Sequence, residues 1–395
     1  SPIVPDADPQ VQRLVAAVSV ERLRALVTTL AGFGTRESMS TTTSSTRGVG
    51  AARQWIFDEL TRASPRLQVS FDTHVIAPQG RFTTQTELRN VMAVLPGRTP
   101  RRIYVTGHYD SLNLGSGGQQ ALNAAGGQNP QARTDFDHDA EAPGANDDGS
   151  GTALTIELAR VFAESGAQFD ATLVFMCWAG EEQGLVGSSA HAQHLAADKI
   201  PVEANFNNDI VGNTRGGNGV VDAETVRVYS VGPEDSMSRS LARYVARLAG
   251  IYVPGHRIRL MAREDRFGRG SDHSSFTRQN FPAIVFREAN ENFAKQHTAN
   301  DTLDGVDVAY LAQNARVNAA SCAPDHPRPQ AGCSETSRSP KRKRKSVARQ
   351  FVSRAAFEAK YASRSRSTVP TGPGVYSSSN TSTGRSSKSR KSPRW

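Results

Sequence analysis

The pattern of apolar and polar residues divides the first 320 positions into alternating helical and strand-like segments. Apolar residues recur at helical spacing over 11–30, 48–62, 151–165, 188–197, 236–249 and 306–320. Alternating or Val-rich runs predict strands over 67–76, 87–95, 102–106, 171–178, 204–207, 226–231 and 282–286. From this alternation we expect an α/β fold with a mixed, mostly parallel central sheet and helices on both faces.

Two stretches interrupt this order. Residues 113–142 are rich in Gly, Gln, Asn and Ala without a periodic apolar pattern, which indicates a surface insertion into a single domain spanning 1–320. Residues 321–395 form a tail rich in Ser, Arg and Pro, a composition too polar to bury a core, so we expect disorder there. The hypothesis that we prefer for this abrupt change is translation in a wrong reading frame, and the coding DNA would then continue a folded domain in another register.

The basic net charge of the chain belongs to this tail. The tail holds 17 Lys and Arg but only 3 Asp and Glu, so residues 1–320 are net negative although the whole chain is +9. The basic run 341–345 resembles a nuclear or nucleic-acid patch but lacks interleaved aromatic residues, and we expect no specific nucleic-acid partner. No run approaches the ~18 apolar residues of a transmembrane helix.

Residue types that bind zinc follow the ends of predicted strands. These residues are His108, Glu181, Glu182, Asp209 and His297. Because ligands gather outside the carboxyl ends of strands in open α/β sheets, we expect these side chains to converge at one edge. A further carboxylate pair, Asp147 and Asp148, lies between glycines where a loop meets a helical pattern, and one of the two could bridge a pair of metals.

Together these residues predict a hydrolytic centre with two zinc ions. Two ions roughly 3.5–4 Å apart lower the pKa of a shared water toward ~7. The roughly five ligands that they need are available as His108, Asp147, Glu182, Asp209 and His297. Glu181 is left as a general base that moves a proton from this water to the leaving amine. Asp110, two residues past His108, is placed to accept the free imidazole N–H and fix its tautomer.

Short motifs contain these residues in a fixed order. They are Gly107-His108-Tyr109-Asp110-Ser111, Gly144-Ala145-Asn146-Asp147-Asp148-Gly149-Ser150-Gly151, Gly180-Glu181-Glu182-Gln183-Gly184-Leu185, Asn208-Asp209, Ser271-Asp272-His273 and His297-Thr298. The set resembles the M28 family of co-catalytic zinc aminopeptidases over about residues 19–320. The resemblance implies a zinc-exopeptidase fold of the phosphorylase/hydrolase-like type.

The resemblance also implies a role for each residue. Asp147 would bridge the two ions, His108 and Asp209 would bind one ion, Glu182 and His297 would bind the other, and Glu181 would be the base. It implies a cis peptide bond between Asp147 and Asp148. The resemblance also identifies Asp209 as the metal ligand of its segment, because polarity alone does not distinguish Asp209 from Asn207 and Asn208.

Three other groups of residues can be interpreted in more than one way. His191 and His194, at i and i+3 of a helix, could bind a metal, but no third ligand accompanies them. Asp272 and His273 could orient substrate or stabilise an oxyanion, or His273 could cap the following helix. Five arginines, Arg257, Arg259, Arg263, Arg266 and Arg269, form a solvated edge or a clamp for a substrate carboxylate.

The expected function is hydrolysis of the first peptide bond of a peptide with a free N-terminus. The alternatives are a dipeptidase or carboxypeptidase of the same family, a glutaminyl cyclase with one zinc, and a non-catalytic binding domain. Serine hydrolases and helical zinc proteases lose support because the chain lacks Gly-x-Ser-x-Gly and His-Glu-x-x-His. A start at Ser1 without Met suggests a processed chain, and Cys322 and Cys333 could pair, so we expect a secreted or periplasmic location.

Overall fold

The computed structural model describes residues 7–115, 137–266 and 268–323, in which helices and strands alternate. The helices are α1 (Pro9–Ala16), α2 (Val20–Gly32), α3 (Gly48–Ala63), α4 (Gly149–Glu164), α5 (Val186–Ala197), α6 (Met237–Tyr252), α7 (His273–Thr277) and α8 (Val308–Cys322), with a 3-10 turn at Leu303–Gly305. The strands are β1 (Gln68–Ile76), β2 (Thr86–Leu95), β3 (Thr99–His108), β4 (Ala171–Trp178), β5 (Val202–Asn208), β6 (Thr225–Ser230), β7 (Arg257–Met261) and β8 (Ala283–Glu288).

These strands form one sheet in the order β1-β2-β4-β3-β5-β8-β6-β7. The four central strands, β4, β3, β5 and β8, are parallel to one another. Antiparallel pairing begins on either side, where β2 joins β4 and β6 joins β8. The predicted mixed, mostly parallel sheet is therefore confirmed, and its parallel centre brings four strand ends to one edge.

Side chains of the central strands alternate between two apolar layers, because successive residues of a strand point to opposite faces. Ile103 and Val105 of β3 belong to the larger layer, which also contains apolar residues of α2, α4, α6 and α8. Tyr104 between them belongs to a smaller layer with Trp178 of β4 and Phe276 of α7. Helices thus cover both faces of the sheet, as the sequence predicts.

Among the differences between predicted and observed strands, those at β8 and β7 have a clear physical reason. The strand β8 continues two residues beyond its predicted end, through Arg287 and Glu288, and both charged side chains are buried. The strand β7 lies within the arginine run; it is an edge strand with exposed Arg257 and Arg259, so its sequence shows no alternation of buried residues.

Several expectations fall on residues that the structure does not describe. The tail beyond residue 323, including Cys333, and residues 116–136 of the predicted insertion lie outside the described ranges. Cys322 is buried at the end of α8. Within the described part of the chain, no helix has both the length and the hydropathy to cross a bilayer.

Candidate metal centre

The carboxyl ends of the central strands supply most of the predicted ligands. His108 is the last residue of β3, Glu181 and Glu182 follow β4, and Asp209 follows β5 directly. His297 lies on the loop that follows β8. The convergence at one sheet edge that the sequence predicts is therefore what the structure shows.

The carboxylate of Asp147 lies at the middle of this group, between two imidazoles. Its Oδ1 is 3.4 Å from Nε2 of His108, and its Oδ2 is 3.0 Å from Nε2 of His297. Glu182 Oε1 is 3.1 Å from the same nitrogen of His297. On the opposite side, Asp209 Oδ1 and Glu181 Oε2 lie 3.9 Å and 4.0 Å from Nε2 of His108. The carboxylates thus surround two imidazole nitrogens, and Asp147 lies beside both of them.

Asp148 joins the segments that carry these side chains. Its Oδ1 accepts hydrogen bonds from the N–H of Gly151, at 2.9 Å, and of Ile210, at 3.1 Å. Its Oδ2 accepts the N–H of His108 at 3.0 Å. One buried carboxylate therefore connects the end of β3, the first turn of α4 and the segment after β5. The peptide bond between Asp147 and Asp148 is cis, as the resemblance implies.

Two glycines allow these segments to approach closely. A Cβ atom on Gly107 would lie 2.5 Å from the carbonyl carbon of Gly151, and one on Gly151 would lie 2.2 Å from the main-chain oxygen of Asn208. Real side chains do not tolerate such distances, so larger residues would push α4 away from β3 and β5. The glycines are needed for His108 and Asp147 to meet.

Two buried charged residues that the sequence did not reveal hold the loop around Asp147. Asp301 accepts the N–H groups of Asn146 and Asp147 at 3.1 Å and 2.8 Å. Arg36 donates to the main-chain oxygens of Tyr109 and Gly144 at 2.6 Å and 2.9 Å, and burial lowers its pKa to about 10. Its guanidinium thus fastens the loop after His108 to the loop before Asp147.

Asp110 contacts the centre differently from the prediction. The main-chain oxygen of Asp110 lies 3.1 Å from Nδ1 of His108, whereas its carboxylate is 3.6 Å away. The carboxylate instead accepts the N–H groups of Glu181 and Glu182 at 3.2 Å and 3.1 Å, and the hydroxyl of Ser38 at 3.1 Å. Asp110 therefore positions both the imidazole and the turn that carries the two glutamates.

Arg287 is a further residue that the sequence prediction missed. Its guanidinium donates to both carboxylate oxygens of Asp209, at 2.9 Å and 2.5 Å, and to the main-chain oxygen of Gly270 at 3.0 Å. Burial would raise the pKa of Asp209, but Arg287 and then His108 lower it below its usual range. No local signal in the sequence points to this pair, because its two residues are 78 positions apart.

The electrostatics of the group favour a bound cation. Burial would lower the pKa of both imidazoles, but neighbouring carboxylates outweigh it, raising the pKa of His297 to about 9 and that of His108 well above its usual value. For the carboxylate of Glu181, burial raises the pKa. Candidate ligand atoms of His108, Asp147 and Glu182 lie within 4.8 Å of one another, as do those of His108, Glu181 and Asp209. These nitrogen and oxygen donors fit zinc, which would displace the imidazole protons on binding.

Asp272 and His273 are buried behind the centre. His273 Nε2 lies 2.8 Å from the main-chain oxygen of Glu264, and burial lowers its pKa to about 4. Burial raises the pKa of Asp272 to about 7. Neither residue is among the described residues that line the cavity above the centre.

The two histidines of α5 do not share a ligand group. His191 Nδ1 is 2.9 Å from Asp72 of β1, and His194 Nε2 is 3.2 Å from Asp198. Among the described residues, the candidate metal groups include neither histidine.

The arginine run divides into two parts. Arg257 pairs with exposed Glu224, and Arg263 lies 5.7 Å from the centre of the Tyr229 ring. By contrast, Arg266 and Arg269 line the cavity of about 540 Å³ above the metal centre. The cavity is within the ~300–1,000 Å³ typical of ligand pockets.

Comparisons with known proteins agree with this geometry. The sequence profile of peptidase family M28 matches residues 90–322. A protein of Pyricularia oryzae named "Probable zinc metalloprotease" is 37% identical over 354 residues, which cover 80% of this chain and 66% of that protein. A similarly named protein of Leptosphaeria maculans is 35% identical and covered over 76% of its length. The chain thus spans about two thirds to three quarters of these relatives.

Solved structures of lower identity share the fold. The LapA aminopeptidase of Legionella pneumophila superimposes with a TM-score of 0.59 at 23% identity, covering 80% of this chain and 75% of that chain. The glutaminyl cyclase of Porphyromonas gingivalis has the same TM-score at 17% identity. The superposition covers 77% of this chain and 97% of the cyclase.

Proposed function

The chain belongs to peptidase family M28, and from that premise we propose that it is a di-zinc aminopeptidase that removes the first residue of a peptide. His108 and Asp209 would hold one ion, Glu182 and His297 the other, and Asp147 both. When bound, two zinc ions would lower the pKa of a shared water toward ~7 and polarise the peptide carbonyl.

The side chains around the ions have separate tasks in this proposal. Glu181 accepts a proton at its carboxylate and returns it to the departing amine. Asp110 fixes the imidazole of His108 through its main-chain oxygen and holds the N–H groups of Glu181 and Glu182 through its carboxylate. Asp148 and Asp301 hold the backbone around Asp147. Small displacements of these groups would lower the rate, because catalysis depends on alignment of the reacting atoms.

The observation that best supports this proposal is the position of Asp147. Its two carboxylate oxygens face different imidazoles, each with further carboxylates beside it. A site for a single ion would need only one of these groups. The LapA aminopeptidase, which shares the fold, adds support for the aminopeptidase activity.

Metal counting and a substrate panel test the proposal together. The purified full chain is stripped with a chelator, titrated with zinc, and assayed on aminoacyl nitroanilides with free or acetylated amino groups. We expect two zinc ions per chain and turnover only with a free amino group. Cleavage of the acetylated substrates would contradict the aminopeptidase assignment, because an aminopeptidase requires the free amino group.

Replacing Glu181 with Gln tests the general base. The variant keeps a similar volume but cannot accept the proton, so we expect kcat to fall about 10²- to 10⁴-fold while zinc content stays the same. The matched control is Asp147→Asn, which should lose zinc as well as activity. Full activity in Glu181→Gln would remove this residue from the mechanism.

A glutaminyl cyclase is the second candidate, because a solved cyclase shares the fold over nearly its whole length. A cyclase would hold one zinc ion and convert an N-terminal glutamine into a ring with release of ammonia. Zinc stoichiometry and an ammonia assay on a glutaminyl peptide separate the two candidates.

A further inference from the structure

Residues 180–185 form the turn between β4 and α5 that carries Glu181 and Glu182, and we call it the glutamate turn. Hydrogen bonds within its backbone give it a compact shape. The main-chain oxygen of Glu181 accepts the N–H groups of Gly184 and Leu185 at 2.8 Å and 2.9 Å. Such internal bonds do not set the orientation of the turn over the metal centre, so that orientation depends on contacts with other segments.

Three distant segments make these contacts. The carboxylate of Asp110 accepts two N–H groups of the turn, as described above. Arg81, in the connection between β1 and β2, donates to the main-chain oxygen of Glu182 at 2.5 Å. The third contact is made by a side chain of the turn, because Nε2 of Gln183 donates to Oε1 of Glu37.

The contact between Gln183 and Glu37 is buried, as the two residues are only 8% and 2% exposed. Gln183 directly follows the proposed base and zinc ligand, and it lines the cavity above the metal centre. Separation of the pair would leave a buried carboxylate oxygen without this donor, which costs free energy. The pair therefore holds the glutamate turn against the segment that contains Glu37.

Glu37 is itself fixed from two sides. Its Oε2 accepts the N–H of Met39 at 2.6 Å and lies 3.0 Å from Nδ1 of His138. Burial raises the pKa of Glu37, although His138 and then the N–H of Met39 oppose this shift. His138 belongs to the described end of the predicted insertion, so Glu37 connects the insertion to the glutamate turn.

We propose that Gln183, fixed by Glu37, is a positioning residue that sets the orientation of Glu181 for proton transfer. The proposal rests on the proposed peptidase function and adds to it two residues that act through Glu181. Proton transfer needs a distance of about 2.6–3.2 Å between the heavy atoms. A displacement of the turn by about 1 Å would therefore cost about 10²-fold in rate.

Two substitutions at position 183 test this role on the full chain at saturating zinc. Gln183→Met keeps a similar volume without the amide, and Gln183→Glu places a second carboxylate against Glu37. We expect kcat to fall about 10- to 100-fold in both variants. KM should change much less, because the amide is engaged by Glu37. A merely structural contact would lower the melting temperature but leave kcat unchanged below the unfolding range.

A double variant, Glu37→Gln with Gln183→Glu, restores the contact with donor and acceptor exchanged. The amide introduced at position 37 can donate to the carboxylate introduced at position 183, while its oxygen still accepts the N–H of Met39. We expect its kcat to be at least about 10-fold above that of Gln183→Glu alone. Absence of this recovery would overturn the proposal.

The matched control is Gln54→Met on α3. Gln54 is exposed, and its Nε2 donates to Oδ1 of Asp58 at 2.9 Å, so the control removes an amide–carboxylate hydrogen bond outside the cavity lining. Its kcat should be unchanged. If Gln183→Met does not fold, Gln183→Asn keeps an amide that is too short for the contact and should show the same loss. Full kcat in a folded Gln183→Met would refute the role.

Hydrogen exchange separates this proposal from the peptidase activity itself. If the unchanged chain cleaves no peptide, the proposed function is wrong, but amide exchange over residues 180–187 still tests the contact in the same variants. Faster exchange in Gln183→Met and Gln183→Glu, slowed again in the double variant and unaffected in Gln54→Met, supports the contact. Equal exchange in all four variants overturns it.

Discussion

Replacing Arg287 with Met should destabilise the metal-free protein much more than the zinc-loaded protein. The side chains of Arg287 and Asp209 are only 2% and 3% exposed and share two hydrogen bonds. Removal of one partner of such a buried pair leaves an uncompensated charge, which costs about 3–5 kcal/mol. At roughly 2 °C per kcal/mol for a domain of this size, the melting temperature in chelator should fall by about 6–10 °C.

Zinc should reverse most of this loss. A bound ion would compensate Asp209 in place of Arg287, leaving mainly the lost hydrogen bond to Gly270, worth about 1–2 kcal/mol. By linkage, the difference of about 2–3 kcal/mol appears as stronger zinc binding, roughly 30- to 150-fold at one site of the variant.

Two measurements check these values. Thermal unfolding in chelator and in saturating zinc gives the change in melting temperature, and calorimetric titration gives the change in zinc affinity. The control is Arg259→Met, an exposed arginine on β7, which should change neither quantity. Equal destabilisation of Arg287→Met in chelator and in zinc would mean that zinc does not take over the charge of Asp209, and the assignment of Asp209 as a ligand would fail.

Three further changes test the fold around the site. Arg36→Met should lower the stability by about 3 kcal/mol or more, measured by urea unfolding, because it leaves buried main-chain oxygens without donors. Phe206→Ala on the central strand β5 should cost about 3–5 kcal/mol in the same assay, since the ring is fully buried. Burial lowers the pKa of His256, although the hydrogen bond that its imidazole donates to the side-chain oxygen of Asn314 opposes this shift. Its contribution to stability is therefore complete above the unfolded pKa of ~6.5 and is lost as the pH falls through the folded pKa, so the melting-temperature advantage over His256→Gln should shrink between pH 8 and pH 5.

Strands and helices whose residues follow a local pattern can be predicted from the sequence. Residues whose burial depends on partners far away along the chain are identified only in the structure. Ala171–Trp178 is an uninterrupted apolar run, so β4 is predicted to the residue. The strand β8 is cut short in the prediction because Arg287 and Glu288 look like exposed residues at a strand end. Their burial depends on Asp209 and on the amide groups of Asn146, which lie far away along the chain.

The same distinction applies within the site. His108, Glu181 and Asp147 lie in short glycine-flanked motifs directly after strands or before a helix, and such motifs can be read from the sequence. Arg36 and Asp301 lie in segments without any pattern, and their roles come from hydrogen bonds to backbone atoms more than 70 positions away. Side-chain identity alone gives no signal for such contacts.

The three hydrogen bonds that Asp148 accepts determine which changes in sequence and loop length this protein tolerates. Because one carboxylate fastens β3, α4 and the segment after β5 beneath the site, the loops that leave this edge are free to differ in length without moving the ligands. The long stretch between His108 and Asp147 is an example, as the two residues meet despite it. Substrate preference could therefore diversify among related proteins through loop exchange, while substitution of Asp148 would be penalised in all of them.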